Sequence, residues 1–425
     1  MTTTNKSLLA AFIAVTTLFF AWGFVTQSID PLIPSVRAIF KLSYTESMLT
    51  QFAFFISYGV VSLPGAALVA RLGYSRGIIA ALFTMVVGCL VMPLATSVGQ
   101  YEIVLVALFI IGSGITVLQV AANPLVAALG PPERSHFRLV FSQAFNSLGT
   151  VIAPYVGSAI MLSGGMFAAQ EGVVDEVARR TESLRSIDTA FFGIAGLIVL
   201  LALFIWSFRR RIQESAPSLA GETKTPVVAA LSSPWALFGA IAIFLYVGAE
   251  VSIASVMINF LHQPDVLDVS LERAGKLLSL YWLGAMIGRF LGSAALLRVP
   301  AARLLTVFTL IASVLCFTVT QFGGGIPAYA AISVGLFNSI MFPVIFTLTL
   351  ERSTASQAAT SGLLCMAIVG GAVLPLVTGQ VADHYGLHAA FVVPAVAYAG
   401  LFVFALGAAR ARLTTAREPA TGMAH

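Results

Sequence analysis

The stretch LLAAFIAVTTLFFAWGFVTQSIDP, Leu8 to Pro31, carries no charge until Asp30, the residue just before its closing proline. An uncharged run of about 20 residues is long enough to cross a hydrocarbon core as a helix. A carboxylate near its end calls for a reason, because an ionised side chain in hydrocarbon costs about 2.5–3.5 kcal/mol on insertion scales. Only Lys6 precedes the run as a charge, and the polar, bulky WGFVTQSIDP has no small-residue cleavage pattern. The segment therefore reads as a retained helix, not a signal peptide.

The rest of the chain repeats this character. Of 425 residues, 58% are hydrophobic and 10% charged, against about a quarter charged in soluble domains. Twelve long apolar runs are present, near 8–33, 47–70, 77–97, 102–129, 137–163, 188–208, 233–262, 274–297, 304–322, 326–350, 357–382 and 387–409. The fold class is an all-α integral membrane protein. With the amino terminus in the cytoplasm, the tails and even-numbered loops hold 15 of the 23 Lys and Arg, including Arg209 to Arg211. Positive residues gather on the cytoplasmic side, so both termini are expected there. The net charge of +5 follows from that bias and gives no support to nucleic-acid binding.

Two polar stretches interrupt the runs. Gly164 to Ser186, GGMFAAQEGVVDEVARRTESLRS, has charges at helical spacing and predicts a short amphipathic helix on the outer surface. Phe208 to Pro226, FRRRIQESAPSLAGETKTP, starts basic and continues rich in Ser, Pro, Ala and Thr. It reads as a linker over 209–232 between two six-helix units, 1–208 and 233–425. The units look like repeats. Pro124 is followed by Glu133-Arg-Ser and Pro343 by Glu351-Arg-Ser; GTVIAPYVGSAI of helix 5 then matches GGAVLPLVTGQV of helix 11. Duplicated bundles are a transporter device.

Chemistry on a substrate finds no support. There is no phosphate-binding glycine loop with Lys and Ser/Thr and no His-Glu-x-x-His, so no enzyme, ATP-driven pump, metal or cofactor is expected. Cys89, Cys316 and Cys365 lie in apolar runs without metal-ligand spacing and read as small buried residues.

Polar side chains within the spans are the candidate site. Asp30, Glu250 and Arg289 are the charges well inside. Pro31 and Pro34 lack an amide donor, so the first helix should bend or end there. Trp22, Thr26 and Asp30 are four apart, one helix face offering an indole, a hydroxyl and a carboxylate. Gln119 and Asn123 of helix 4, with Gln143 and Asn146 of helix 5, supply amides of the kind that bind polyhydroxyl ligands. Such amides also serve as interhelical hydrogen bonds. Helix 7 adds Tyr246, Glu250 and Asn259, and helix 8 adds Trp282. Arg289 lies at a depth similar to Glu250; an ion pair between them and a coupling role for Glu250 are alternatives the sequence leaves open.

Twelve helices, a basic central linker and duplicated halves resemble the major facilitator superfamily. The loop GAALVARLGYSRG keeps that group's glycines and arginines but has Ala70 where an aspartate is common. WGFVTQSIDPLIP, QFAFFISYG, LQVAANPLVAALGPPE, FRLVFSQAFNSLGTVIAP, FLYVGAEVSI and LLCMAIVGGAVLPLVTGQVAD are similar to the fucose–galactose–glucose:proton symporter family, over nearly the whole chain. The resemblance implies twelve transmembrane helices in two pseudo-symmetric bundles, a monomer in a bacterial cytoplasmic (inner) membrane, and alternating-access import of a sugar with a proton. In the fucose branch an aspartate of helix 1 and a glutamate of helix 4 are implicated in coupling and sugar binding. The aspartate falls on Asp30, the glutamate on Gln119, and an amide of helix 7 on Glu250. An amide takes up no proton near pH 7. The exchange implies that Glu250 replaces the lost carboxylate, as in the glucose/galactose branch. The expectation is therefore a hexose symporter with Asp30 and Glu250 coupling the cation, Gln119, Asn123, Gln143 and Asn146 binding hydroxyls, and Trp22 or Trp282 stacking on the ring. An N-acetylglucosamine or fucose carrier, a sodium-coupled one, and a facilitator or exporter are the alternatives.

Overall fold

The computed structural model describes residues 3–130, 135–168, 175–216 and 227–411. Twelve helices among them are long and apolar enough to cross a membrane: Leu8–Phe40 (α1), Tyr44–Leu72 (α2), Tyr74–Val98 (α3), Tyr101–Asn123 (α4), Phe141–Met161 (α5), Glu176–Ser215 (α6), Pro234–His262 (α7), Leu271–Leu296 (α8), Ala301–Gln321 (α9), Gly325–Arg352 (α10), Ala359–Tyr385 (α11) and Leu387–Arg410 (α12). Short connections make neighbours antiparallel. Gly73, at φ 78°, lets α2 turn directly into α3.

In the first half α4 packs on α2 and α3, α1 on α5, and α6 on α3; in the second, α7 packs on α11 and α12, α8 on α10, and α9 on α12. The halves meet along two helix pairs, α2 with α11 and α5 with α8. Advancing each number by six exchanges these pairs, as a duplicated bundle requires. Large apolar side chains such as Phe83, Leu200 and Val396 are exposed by 65% or more on the outside. Surface of that kind suits contact with lipid chains and not with water.

Prolines decide where the helices break. Pro31 offers no amide to the carbonyl of Gln27, and α1 is interrupted at Ser28. There the Ser28 amide (3.1 Å) and hydroxyl (2.7 Å) both donate to the Phe24 carbonyl. Pro343 acts likewise on α10, which breaks at Ser339 and Ile340. The expected bend in α1 is thus found, one turn ahead of its proline.

Three expectations need correction. The stretch 164–186 is not a separate amphipathic helix. After one 3-10 turn at Gly165–Phe167, and beyond residues 169–174, which lie outside the described residues, α6 starts at Glu176 and runs unbroken into the membrane. Asp175 caps it by accepting from the amides of Val177 and Ala178, and neither Gly nor Pro occurs before Gly193 to stop it. Its 40 residues make about 60 Å, twice a hydrocarbon core, so it projects into water. It also continues past the start of the expected linker to Ser215; residues 217–226 of that linker lie outside the described residues. Finally, Cys89 and Cys316 are buried, but Cys365 is exposed on α11.

Glycines set the closest helix packing. A Cβ on Gly335 of α10 would collide with the carbonyl oxygen of Tyr281 on α8, and one on Gly288 with the carbonyl of Leu336. Gly335→Val should therefore cost about 3 kcal/mol and shorten the survival of monodisperse protein on heating in detergent; unchanged heat resistance would show that α8 and α10 are free to part.

Candidate functional site

The site lies where the two halves face each other, and Asp30 is its centre. Asp30 is 2% exposed, just past the break in α1. Trp282 Nε1 of α8, in the other half, donates to Asp30 Oδ2 at 3.3 Å. Gln51 of α2 also reaches the carboxylate, and its Nε2 donates to Ser255 Oγ of α7 at 3.0 Å. A buried carboxylate held by neutral donors from both halves keeps no fixed counter-charge within ion-pair distance among the described residues. Such a group is expensive when ionised and cheap when it carries a cation.

Glu250 sits within electrostatic reach of Asp30 and heads a second network. The Tyr246 hydroxyl lies between Glu250 Oε1 (2.8 Å) and the Asn338 carbonyl (3.2 Å). Asn338 Nδ2 donates to the Tyr281 hydroxyl at 2.6 Å, and the Tyr398 hydroxyl donates to Asn338 Oδ1 at 2.6 Å. Helices α7, α8, α10 and α12 are joined in this way around one carboxylate. The Glu250–Arg289 ion pair does not form within 4.0 Å among the described residues. Arg289 Nη1 instead donates to Ser147 Oγ of α5, across the junction. Its charge still acts on Glu250.

The amides divide. Gln119 Nε2 donates to the Tyr58 hydroxyl at 2.7 Å, on the wall between α4 and α2. Asn123 Oδ1 and Thr26 Oγ1 are buried atoms without a partner among the described residues. Gln143 is half-buried. Asn146 Nδ2 donates to the Phe19 carbonyl at 3.2 Å, which ties α5 to α1. It therefore acts as interhelical glue here, not as a free hydroxyl ligand. Asn259 Nδ2, one turn beyond Ser255, is buried and unpartnered among the described residues. Trp22 is buried against Phe19, with ring centroids 4.4 Å apart. The break at Ser28 falls between Thr26 and Asp30.

Access is one-sided. At the end of the bundle away from the chain termini, the Asp383 carboxylate of α11 receives the Tyr44 amide (2.6 Å), the Thr45 amide (2.8 Å) and the Thr45 hydroxyl (2.6 Å) of α2. Gly275 of α8 approaches so near Ser158 of α5 that a Cβ would overlap its hydroxyl. Above this seal Asp30, Gln51, Ser255 and Asn259 are all buried, whereas Gln119, Asn123 and Gln143, toward the terminal end, keep partial exposure.

Comparison with known proteins agrees with this architecture. The Major Facilitator Superfamily model matches residues 11–364, and the chain belongs to that family. Its fold and central polar site are those of a transporter and not of an enzyme. The chain is 41% identical over 409 residues to the glucose/galactose transporter of Brucella abortus, covering 95% of each. It is 30% identical to the L-fucose-proton symporter of Escherichia coli, covering 94% of this chain and 93% of that one. Of solved structures, a Major Facilitator Superfamily transporter, FucP, in the outward conformation superposes with a TM-score of 0.70 at 29% identity, over 95% of this chain and 100% of that one. The resemblance to the fucose–galactose–glucose symporters therefore holds across the chain.

Gln51, Ser255, Asn338, Tyr281, Tyr398 and Asp383 were not singled out in the sequence. Gln51 stands in QFAFFISYG, where an amide within an apolar run was the signal available; the hydroxyls gave none, since Ser and Tyr are common in membrane helices.

Proposed function

We propose that this protein is a secondary active sugar importer that couples a hexose such as glucose or galactose to an inward proton. It works as a monomer in the cytoplasmic (inner) membrane of a bacterium, with both termini in the cytoplasm. One observation carries the reading: Asp30, with no counter-charge within ion-pair distance among the described residues, is held by Trp282 and Gln51 from opposite halves. The named relatives supply the cargo: one transports glucose and galactose, another L-fucose with a proton.

The residues suggest the following cycle. A proton on Asp30 removes the charge that burial penalises, so the halves close over it at less cost. Gln119, Gln143 and Asn123 offer donors and acceptors to hydroxyls, and Trp22 or Trp282 an apolar face for the ring. Sugar and proton together then favour the rocking of unit 1–208 against unit 233–425, with 209–232 as the connecting linker. Glu250 gives a second ionisable group beside the first, its carboxylate steadied by Tyr246.

Uptake of radiolabelled glucose, galactose, fucose and N-acetylglucosamine into proteoliposomes under a pH gradient or a sodium gradient alone tests the reading. Accumulation of glucose or galactose under the pH gradient supports it. Accumulation under sodium alone replaces the proton by a metal ion at these carboxylates, and uptake without accumulation makes the protein a facilitator. In the same assay Gln119→Ala should weaken apparent sugar affinity about tenfold, the loss of one or two hydrogen bonds of about 1 kcal/mol each, and leave the coupling ratio unchanged.

A further inference from the structure

We propose a binding site for a phosphate-bearing headgroup at the terminal end of the first half, built by Arg76, Arg209 and Arg210. The three arginines line an open cavity of about 400 Å³ between the α2–α3 turn and the end of α6, together with Leu72, Ser75 and Gln213. No carboxylate lies within 4.0 Å of any of them among the described residues. Three like charges around one hollow repel one another until an anion enters, and a phosphate accepts from several guanidinium forks at once. Topology alone requires arginines on this side of the membrane but does not require them to converge on a cavity.

The surroundings favour a lipid as bearer of the phosphate. Arg209 is fixed in place: Nη1 donates to the Trp206 carbonyl at 2.9 Å and the guanidinium lies 4.3 Å from the centre of the Trp206 ring. Trp206, Leu203 and Leu200 are exposed by 50%, 62% and 66% on the same stretch of α6. An indole at headgroup level above an apolar stripe is the setting in which acyl chains lie along a helix while the phosphate meets the basic residues. The chemistry recognised is a monoanionic phosphodiester such as phosphatidylglycerol, or a free phosphate of similar charge.

The test uses the full-length protein in lipid bilayers, with Trp206 fluorescence quenched by brominated phosphatidylglycerol or brominated phosphatidylcholine. Trp22 and Trp282 are buried, and Trp235→Phe removes the remaining tryptophan. Quenching should favour phosphatidylglycerol, and the preference should fall about fivefold for each pocket arginine neutralised, Arg76→Gln and Arg210→Gln. Arg211→Gln, equal in charge but outside the cavity, should leave it intact. Heat resistance in phosphatidylcholine alone checks that the variants are folded. If 10 mM inorganic phosphate abolishes the preference, the pocket takes free phosphate as well; if it does not, the lipid is the ligand. No preference at Trp206, or an equal loss in Arg211→Gln, overturns the proposal.

Discussion

Asp30→Asn should abolish sugar accumulation and leave exchange of labelled for unlabelled sugar across the membrane. One pH unit is worth about 1.4 kcal/mol per proton, so a one-to-one symporter builds about a tenfold sugar gradient from it. With Asp30 as the group that carries the proton, its loss should bring that gradient to none. Exchange should survive because an amide of nearly the same shape can still accept from Trp282 Nε1 at the position of Oδ2 and carries no charge to be buried. The variant mimics the protonated carrier, which completes the loaded half of the cycle but stores no energy from the proton. Accumulation at the wild-type level in Asp30→Asn would transfer coupling to Glu250, and the parallel Glu250→Gln variant would then be the one to lose it.

The second large effect concerns the far seal. Asp383 meets the amino-terminal end of α2 with three hydrogen bonds from Tyr44 and Thr45, and a carboxylate there also answers the positive end of the helix dipole. Charge-assisted bonds contribute about 1.5–3 kcal/mol each when sheltered, and water at this exposed end reduces the sum. A total of about 2 kcal/mol shifts the populations of the two access states roughly thirtyfold. Asp383→Ala should therefore open the far end. A cysteine introduced by Ser279→Cys, with Cys89, Cys316 and Cys365 replaced, reports it: Ser279 is 7% exposed on α8 just beneath the seal. Its reaction with an impermeant maleimide should quicken about thirtyfold in Asp383→Ala; an unchanged rate would leave the seal to Ser158 and Gly275.

Much of the fold was legible because the bilayer punishes polar backbone and side chains alike, so apolar run length nearly dictates the twelve helices. Asp30 was legible for the same reason, as a cost that demands a role. The extent of α6 was less so: charges at helical spacing after Gly164 signalled a separate surface helix, while the absence of Gly or Pro between Glu176 and Gly193 allowed one continuous helix. Partners across the junction were not legible. The choice of Ser147 over Glu250 by Arg289 depends on how α5 and α8 cross, which no spacing within one helix records. Asp383 was hidden differently, since two of its three partners are backbone amides, which nearly any residue at Tyr44 or Thr45 would supply.

The bond from Arg289 to Ser147 has an electrical meaning. It joins α5 and α8 in the part of each helix nearer the chain termini, where it ties the charge to the backbone scaffold of both halves. A charge tethered to a helix travels only as far as the helix tilts, whereas each charge carried fully across 100 mV exchanges about 2.3 kcal/mol with the field. The charges that cross with the sugar therefore outweigh the tethered arginine in the current of a turnover, and the voltage sensitivity of uptake reports chiefly on them.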